Sequence, residues 1–141
     1  MDFSDFGITR NHLKQSLMHS AAITAAGLVV ITLMGVYTGS WATRNLSPAY
    51  VFYYVFLSVP VQELFFRGFV QTRLEKKIRP WAAVVVASVL FGAVHFYNPL
   101  LAGLALAAGL AWGYSFHIRK CLAGPVLSHT VLGLCLFLFV L

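Results

Sequence analysis

Acidic side chains are nearly absent from this chain: four Asp and Glu stand against ten Lys and Arg, and charged residues make up only 10% of the sequence. A soluble domain draws on roughly a quarter of its residues for charge, so this polar complement is too thin to cover a water-soluble core. Long polar loops, linkers, low-complexity tracts and internal repeats are missing too, which argues against a multidomain or repeat architecture. Cysteine is scarce. Cys121 and Cys135 lie 14 positions apart, which is about 21 Å on one helix and far too distant for a disulfide. The first apolar run, beginning near residue 17, is long enough to span and lacks a small-residue cleavage site. It reads as a span and not as a cleaved signal.

What is abundant is apolar sequence, 60% of the chain, with runs over residues 21–36 and 82–94. These imply an integral membrane protein. The expected fold is all-α, a polytopic bundle of five transmembrane helices over residues 17–37, 49–74, 81–97, 100–117 and 121–141, with Pro60 as a kink in the second. The chain is expected to be a single membrane domain, 1–141. Residues 1–48 would supply an N-terminal segment and first helix, and residues 49–141 the core. The Ala- and Gly-rich fourth segment suits close helix packing.

The net charge of +6 could suggest nucleic acid, but the basic residues sit at the ends of apolar segments, where they orient helices and contact membrane lipid. With the N-terminus in the cytoplasm, the inner side carries Arg10, Lys14, Arg73, Lys76, Lys77, Arg79, Arg119 and Lys120, and the outer side only Arg44. Eight against one predicts a protein of the cytoplasmic membrane, N-terminus inside and C-terminus outside, with no nucleic-acid partner.

Against this background Glu63 and Arg67 are conspicuous, because ionisable groups at membrane depth are costly and mark function. Spaced i, i+4, they share a helix face and can pair; Gln62, about 100° further round, presents an amide to another neighbour. Two further segments each carry a histidine, His95 and His129. Glu63 lies roughly 16 Å from the inner end of its helix, His95 roughly 21 Å and His129 roughly 12 Å from theirs, so all three fall near mid-membrane. A carboxylate and an imidazole can share a water as its general base while a second imidazole stabilises an oxyanion. The same three residues, Glu63, His95 and His129, also match a zinc ligand set with an open position. Spacing does not separate these chemistries. Arg67 beside Glu63 competes for the carboxylate and disfavours a bound cation, so the expectation is no metal.

The remaining polar residues read more plainly. His12 and His19 flank the first helix at the interface, His117 snorkels at the inner boundary, and a Cys121–His117 nucleophile would sit in water. The aromatic run Tyr50, Phe52, Tyr53, Tyr54 and Phe56 reads as an interfacial belt merging into lipid-facing surface.

Taken together, Gln62-Glu63-x-x-x-Arg67, Phe91-x-x-x-His95 and His129-x-x-x-Gly133 resemble the three motifs of the CPBP family of intramembrane proteases, the CAAX-protease and bacteriocin-processing group. The resemblance covers about residues 49 to 141. Family members carry Glu-Glu-x-x-x-Arg, Phe-x-x-x-His and His-x-x-x-Asn on a four-helix core. The resemblance implies a glutamic-type intramembrane endopeptidase acting on a membrane-anchored protein or peptide substrate, such as a C-terminal sorting or processing signal. It also implies roles: His95 activating water, His129 donating to the oxyanion, and Glu63–Arg67 as the orienting pair. Gln62 stands where the family has its first Glu, and a neutral amide cannot be a general base. Gly133 stands where the family has Asn, removing an oxyanion donor. Either Glu63 takes over as base, or the chain is a non-catalytic member acting as a membrane immunity or scaffold protein.

Single-cysteine labelling from either side of the membrane checks the predicted orientation. Cysteines at Lys77 and Asn45 should label from the inside and the outside respectively; Lys77 labelling from outside would reverse the topology.

Overall fold

The computed structural model describes residues 3–141. Five long helices account for most of them: α1 (Leu13–Thr38), α2 (Pro48–Glu75), α3 (Pro80–Ala93), α4 (Pro99–Arg119) and α5 (Ala123–Phe139). The protein is an all-helical membrane bundle, and α1, α2 and α4 are each long and apolar enough to cross a bilayer. By length α3 and α5 fall short of the five full spans expected from sequence. Their 14 and 17 residues reach only about 21 and 26 Å, against a hydrocarbon core of about 30 Å.

Local chemistry explains where the helices begin and end. Three start on proline at the first turn, where a missing N–H costs nothing: Pro48, Pro80 and Pro99. Ser47 caps α2 by accepting from the Tyr50 N–H at 3.2 Å, and Asn98 caps α4 by accepting from the Leu101 N–H at 3.1 Å. Gly39, at φ 66°, closes α1 in the left-handed conformation with its N–H on the Val36 carbonyl. The third helix stops at Ala93, short of the expected residue 97. Pro99 disfavours helix in the residue before it, and the chain tightens into turns in which His95, Phe96 and Asn98 donate to Gly92, Ala93 and His95.

The second helix departs most from regular geometry. The helix runs on through Pro60, and before it the chain widens into a π-helical segment, Tyr54–Ser58, in which the Val59 N–H reaches back five residues to the Tyr54 carbonyl. Widening relieves the clash that a proline ring makes with the preceding turn. A second π-helical segment covers Leu64–Gln71. These turns have a consequence for registry. Val59, Glu63, Arg67 and Gln71 are all fully buried at a strict spacing of four. On a 3.6-residue helix that spacing drifts by about 40° per step, and the wide turns take up the drift. Tyr54, Ser58 and Gln62 form a second four-spaced row beside it, facing a cavity.

The five helices surround that cavity. α3 packs along α4, α1 along α5 and α4, and α2 against α3 and α5. Phe66, Phe91, Leu101, Ala105, Trp112, Leu132 and Leu136 form the apolar core. Although expected outside the four-helix core, α1 contributes Ile23, Gly27 and Ile31 to the cavity wall. Its seam with α5 is polar and close. Ser16 Oγ donates to the Cys121 carbonyl at 3.0 Å, Thr24 Oγ1 lies 2.8 Å from Ser128 Oγ, and Gly124 sits against Ser16 and Ser20 where a Cβ would clash.

Candidate active site

Glu63 is the hinge of the buried polar structure. Its Oε1 accepts from His129 Nδ1 at 2.8 Å, and its Oε2 lies 3.3 Å from Arg67 Nε, with both acidic and basic side chains fully removed from the surface. The Arg67 contact is an ion pair without an aligned hydrogen bond, since none of the three guanidinium nitrogens meets hydrogen-bond geometry. The guanidinium also lies 4.7 Å from the centroid of the Phe91 ring. One buried negative charge is thus balanced by one buried positive charge, and an imidazole is held on its other side.

His129 is fixed from three directions. Besides Glu63, Trp112 stacks on the imidazole at 4.6 Å and 19°, and Phe91 meets it edge-on at 5.5 Å. Trp112 is itself held by its Nε1–H, which donates to Ser128 Oγ at 2.9 Å. His95, on the turn after α3, has its Nδ1 2.7 Å from the Phe91 carbonyl, and its ring contacts Phe91 at 4.9 Å. A carbonyl only accepts, so His95 Nδ1 carries the proton; a carboxylate paired with Arg67 sets the same tautomer in His129. In the neutral form of either ring Nε2 is then the nitrogen without a proton, and no hydrogen bond among the described residues engages it. Both line the same cavity, of about 420 Å³, together with Gln62, Tyr54, Phe91 and Trp112.

The residues singled out in the sequence are brought together, but their places differ. Gln62, not Glu63, lines the cavity; its Nε2 donates to Ser58 Oγ at 2.9 Å. Glu63 lies behind it, in direct contact with His129 and not water-bridged, so it is placed to orient an imidazole. His95 comes from a turn and not from a helix face. Among the described residues, no three His, Cys, Asp or Glu side chains are grouped to hold a metal ion. In the Glu63, His95, His129 set both Glu63 oxygens face other side chains, His129 and Arg67.

Other sequence readings are revised. His117 does not simply snorkel: its Nδ1 donates to Glu75 Oε1 at 3.0 Å, and Gln71 and Lys120 also donate to that carboxylate. Cys121 is buried, with its thiol 3.4 Å from the Thr9 carbonyl, so it makes no pair with His117. Two cavity residues escaped the sequence reading. Trp112 lay in a helix read only for its small residues. Tyr54 was counted in an aromatic belt; Phe52, Tyr53 and Phe56 are exposed as such a belt should be, whereas Tyr54 is buried. Its four-residue spacing to Ser58 and Gln62 was the available signal.

Removing one member of a buried ion pair strands the other charge, at about 3–5 kcal/mol, whereas removing both costs much less. Arg67→Met should therefore destabilise the protein severely in detergent unfolding, and adding Glu63→Gln should recover a large part of the loss. Additive losses in the double variant would mean that the two side chains contribute independently.

A stretch of 46 residues, 33% of this chain, is 48% identical to the Na(+)/H(+) antiporter NhaS5 of Synechocystis sp. (strain ATCC 27184 / PCC 6803 / Kazusa). That stretch covers only 6% of the antiporter, so the likeness is confined to a short segment. No solved structure matches. The model of the type II CAAX prenyl endopeptidase Rce1-like family matches residues 43–135, which is most of the chain and includes Gln62, Glu63, Arg67, His95 and His129. The chain belongs to the type II CAAX prenyl endopeptidase Rce1-like family.

Proposed function

We propose that this protein is an intramembrane endopeptidase that hydrolyses a peptide bond near the C-terminus of a membrane-anchored substrate, using a histidine-activated water and no metal. The observation that carries the reading is the pair of imidazoles on one apolar cavity, each with Nδ1 engaged by an oxygen, which leaves Nε2 for the role of base. Water is a poor nucleophile at neutral pH, and a positioned base is worth about 10²–10⁴-fold. His129 is the better supported base, because the Glu63 carboxylate at 2.8 Å stabilises the imidazolium that forms. His95 serves as the second imidazole on the same water and substrate.

In the attacking step, the water oxygen bonds to the peptide carbonyl carbon and one water proton passes to Nε2. Collapse of the tetrahedral intermediate breaks the C–N bond. The imidazolium returns the proton to the departing amine, leaving a carboxyl group and an amine. Arg67 does not touch the reacting atoms; it balances Glu63, which holds His129. The walls of the cavity are apolar, from Ile23 and Gly27 on α1 to Leu104 and Ala108 on α4. Such walls suit a substrate presented from the bilayer with an apolar chain attached, as a prenylated CAAX peptide would be. The core in this reading is residues 49–141, in the cytoplasmic membrane, with the basic ends of α2 and α4 on the inner side.

The competing reading is a non-catalytic member acting as a membrane immunity or scaffold protein. Gln62 favours it, since no carboxylate lines the cavity. Purified protein in lipid vesicles, given a prenylated CAAX peptide, should release the C-terminal fragment, detected by mass spectrometry, and should do so after treatment with a zinc chelator. Glu63→Gln and His129→Gln should each lower the rate by at least ~10²-fold. His95→Gln, outside the ion pair, provides a variant whose fold does not depend on Glu63. No cleavage by the wild type, or full rates in all three variants, would favour the scaffold. Activity lost on chelation and restored by zinc would make the chain a metalloprotease.

A further inference from the structure

Hydrolysis of a peptide bond needs more than a base, because negative charge collects on the carbonyl oxygen and a hydrogen-bond donor placed there is commonly the largest single contribution to the rate. The cavity is short of such donors. The Gln62 amide spends one of its two N–H donors on Ser58 Oγ, and the two imidazoles, with Nδ1 engaged, have Nε2 assigned as base in the reading above. The Arg67 guanidinium is fully buried against Phe91 and does not line the cavity. Tyr50, Tyr53 and Tyr97 line it too, but Tyr50 is only partly buried and the other two are 52% and 76% exposed.

Tyr54 differs from these. It is 7% exposed and its ring lies edge-on to His129, centroid to centroid 6.2 Å. No hydrogen bond engages its hydroxyl among the described residues. That hydroxyl rests directly over Gly133, one helical turn beyond His129, so closely that the first carbon of any side chain there would overlap it. Glycine inside a helix is destabilising relative to alanine. Here it is the residue that lets a phenol enter the space beside His129 in which a side chain from position 133 would otherwise stand.

We propose that Tyr54 is a catalytic residue, its hydroxyl donating the hydrogen bond that stabilises the oxyanion, with Gly133 as the gap that admits it. The proton stays on the phenol oxygen throughout; the tetrahedral intermediate gains a hydrogen bond and no atom is transferred. Tyr54 and Gly133 therefore act as a pair, and the donor reaches the site from α2 and not from α5. The inference rests on the hydrolytic reading above, yet it can fail separately.

The test compares wild type, Tyr54→Phe and Gly133→Ala in lipid vesicles, with a prenylated CAAX peptide and with its phosphonate analogue, in which a tetrahedral phosphorus replaces the scissile carbonyl carbon. Tyr54→Phe removes one oxygen that bonds to no other residue described, so its melting temperature should match that of the wild type. Its kcat should fall about 10²-fold with KM nearly unchanged, the usual loss for a missing oxyanion donor. Phosphonate binding should weaken by a comparable factor while binding of the uncleaved peptide stays the same. Gly133→Ala, which displaces the hydroxyl without deleting it, should show the same split. If the wild type cleaves and Tyr54→Phe keeps its kcat, the inference is overturned and the protease reading stands. Were the wild type to cleave nothing yet bind the phosphonate in a Tyr54-dependent way, the protease reading and the catalytic role would both fall, and Tyr54 would stand only as a donor to a tetrahedral ligand. Phosphonate binding indifferent to Tyr54, in a protein that cleaves nothing, overturns both.

Discussion

The buried ion pair between Glu63 and Arg67 is the constraint to which the rest of the structure answers. Taking two charges out of water costs several kcal/mol for each, and their attraction offsets this only when geometry and further partners are good. In a bilayer the alternative of hydration is absent. The pair is therefore enclosed on every side: by His129 on the carboxylate, by the Phe91 face on the guanidinium, and by Val59 and Gln71 above and below on the same row. The π-helical turns over Leu64–Gln71 answer this demand, because a widened helix keeps residues at spacing four closer to a single stripe. Pro60 makes the first widening inexpensive by having no N–H to lose.

From the pair the order passes outward to the cavity. Glu63 aims His129; Trp112 and Phe91 clamp its ring; Ser128 holds Trp112 and joins it to Thr24 on α1. Every link is a hydrogen bond or a ring contact between different helices, so no helix can shift without disturbing the imidazole. Such a supporting shell is what a site needs if reacting groups are to be held within fractions of an ångström. The departures from the family pattern also become intelligible in these terms. Position 62 faces the cavity and position 63 faces the interior, so a glutamine at 62 removes a carboxylate from the cavity without touching the ion pair. Position 133 faces Tyr54, so glycine there trades one polar group for another.

Much of this was legible in the sequence, and the physical reasons divide cleanly. Charges in an apolar chain are so costly that Glu63 and Arg67 announced a buried site by themselves, and the two histidines on separate segments pointed to the same depth. The all-helical bundle followed from hydropathy, since a backbone in lipid must satisfy its own hydrogen bonds. Direction was harder to read. Hydropathy does not say which face of an apolar helix meets lipid and which meets a cavity, so neither the burial of Tyr54 nor the share of α1 in the cavity wall is readable from it. Helix length was overestimated for α3 because Val94, Phe96 and Tyr97 are apolar, although Pro99 already ends the regular conformation before them. The wide turns of α2 had no signal beyond Pro60, because they arise from packing.

The account stands or falls on the state of His129, whose Nδ1 meets the Glu63 carboxylate while its ring lines the cavity. Nitrogen-15 NMR of the protein in lipid vesicles at neutral pH, with labelled histidine assigned through His129→Gln, reads this directly. The account predicts a neutral imidazole at His129 with its proton on Nδ1, and loss of that single form in Glu63→Gln. A His129 ring protonated on Nε2, or a ring unaffected by Glu63→Gln, would contradict it.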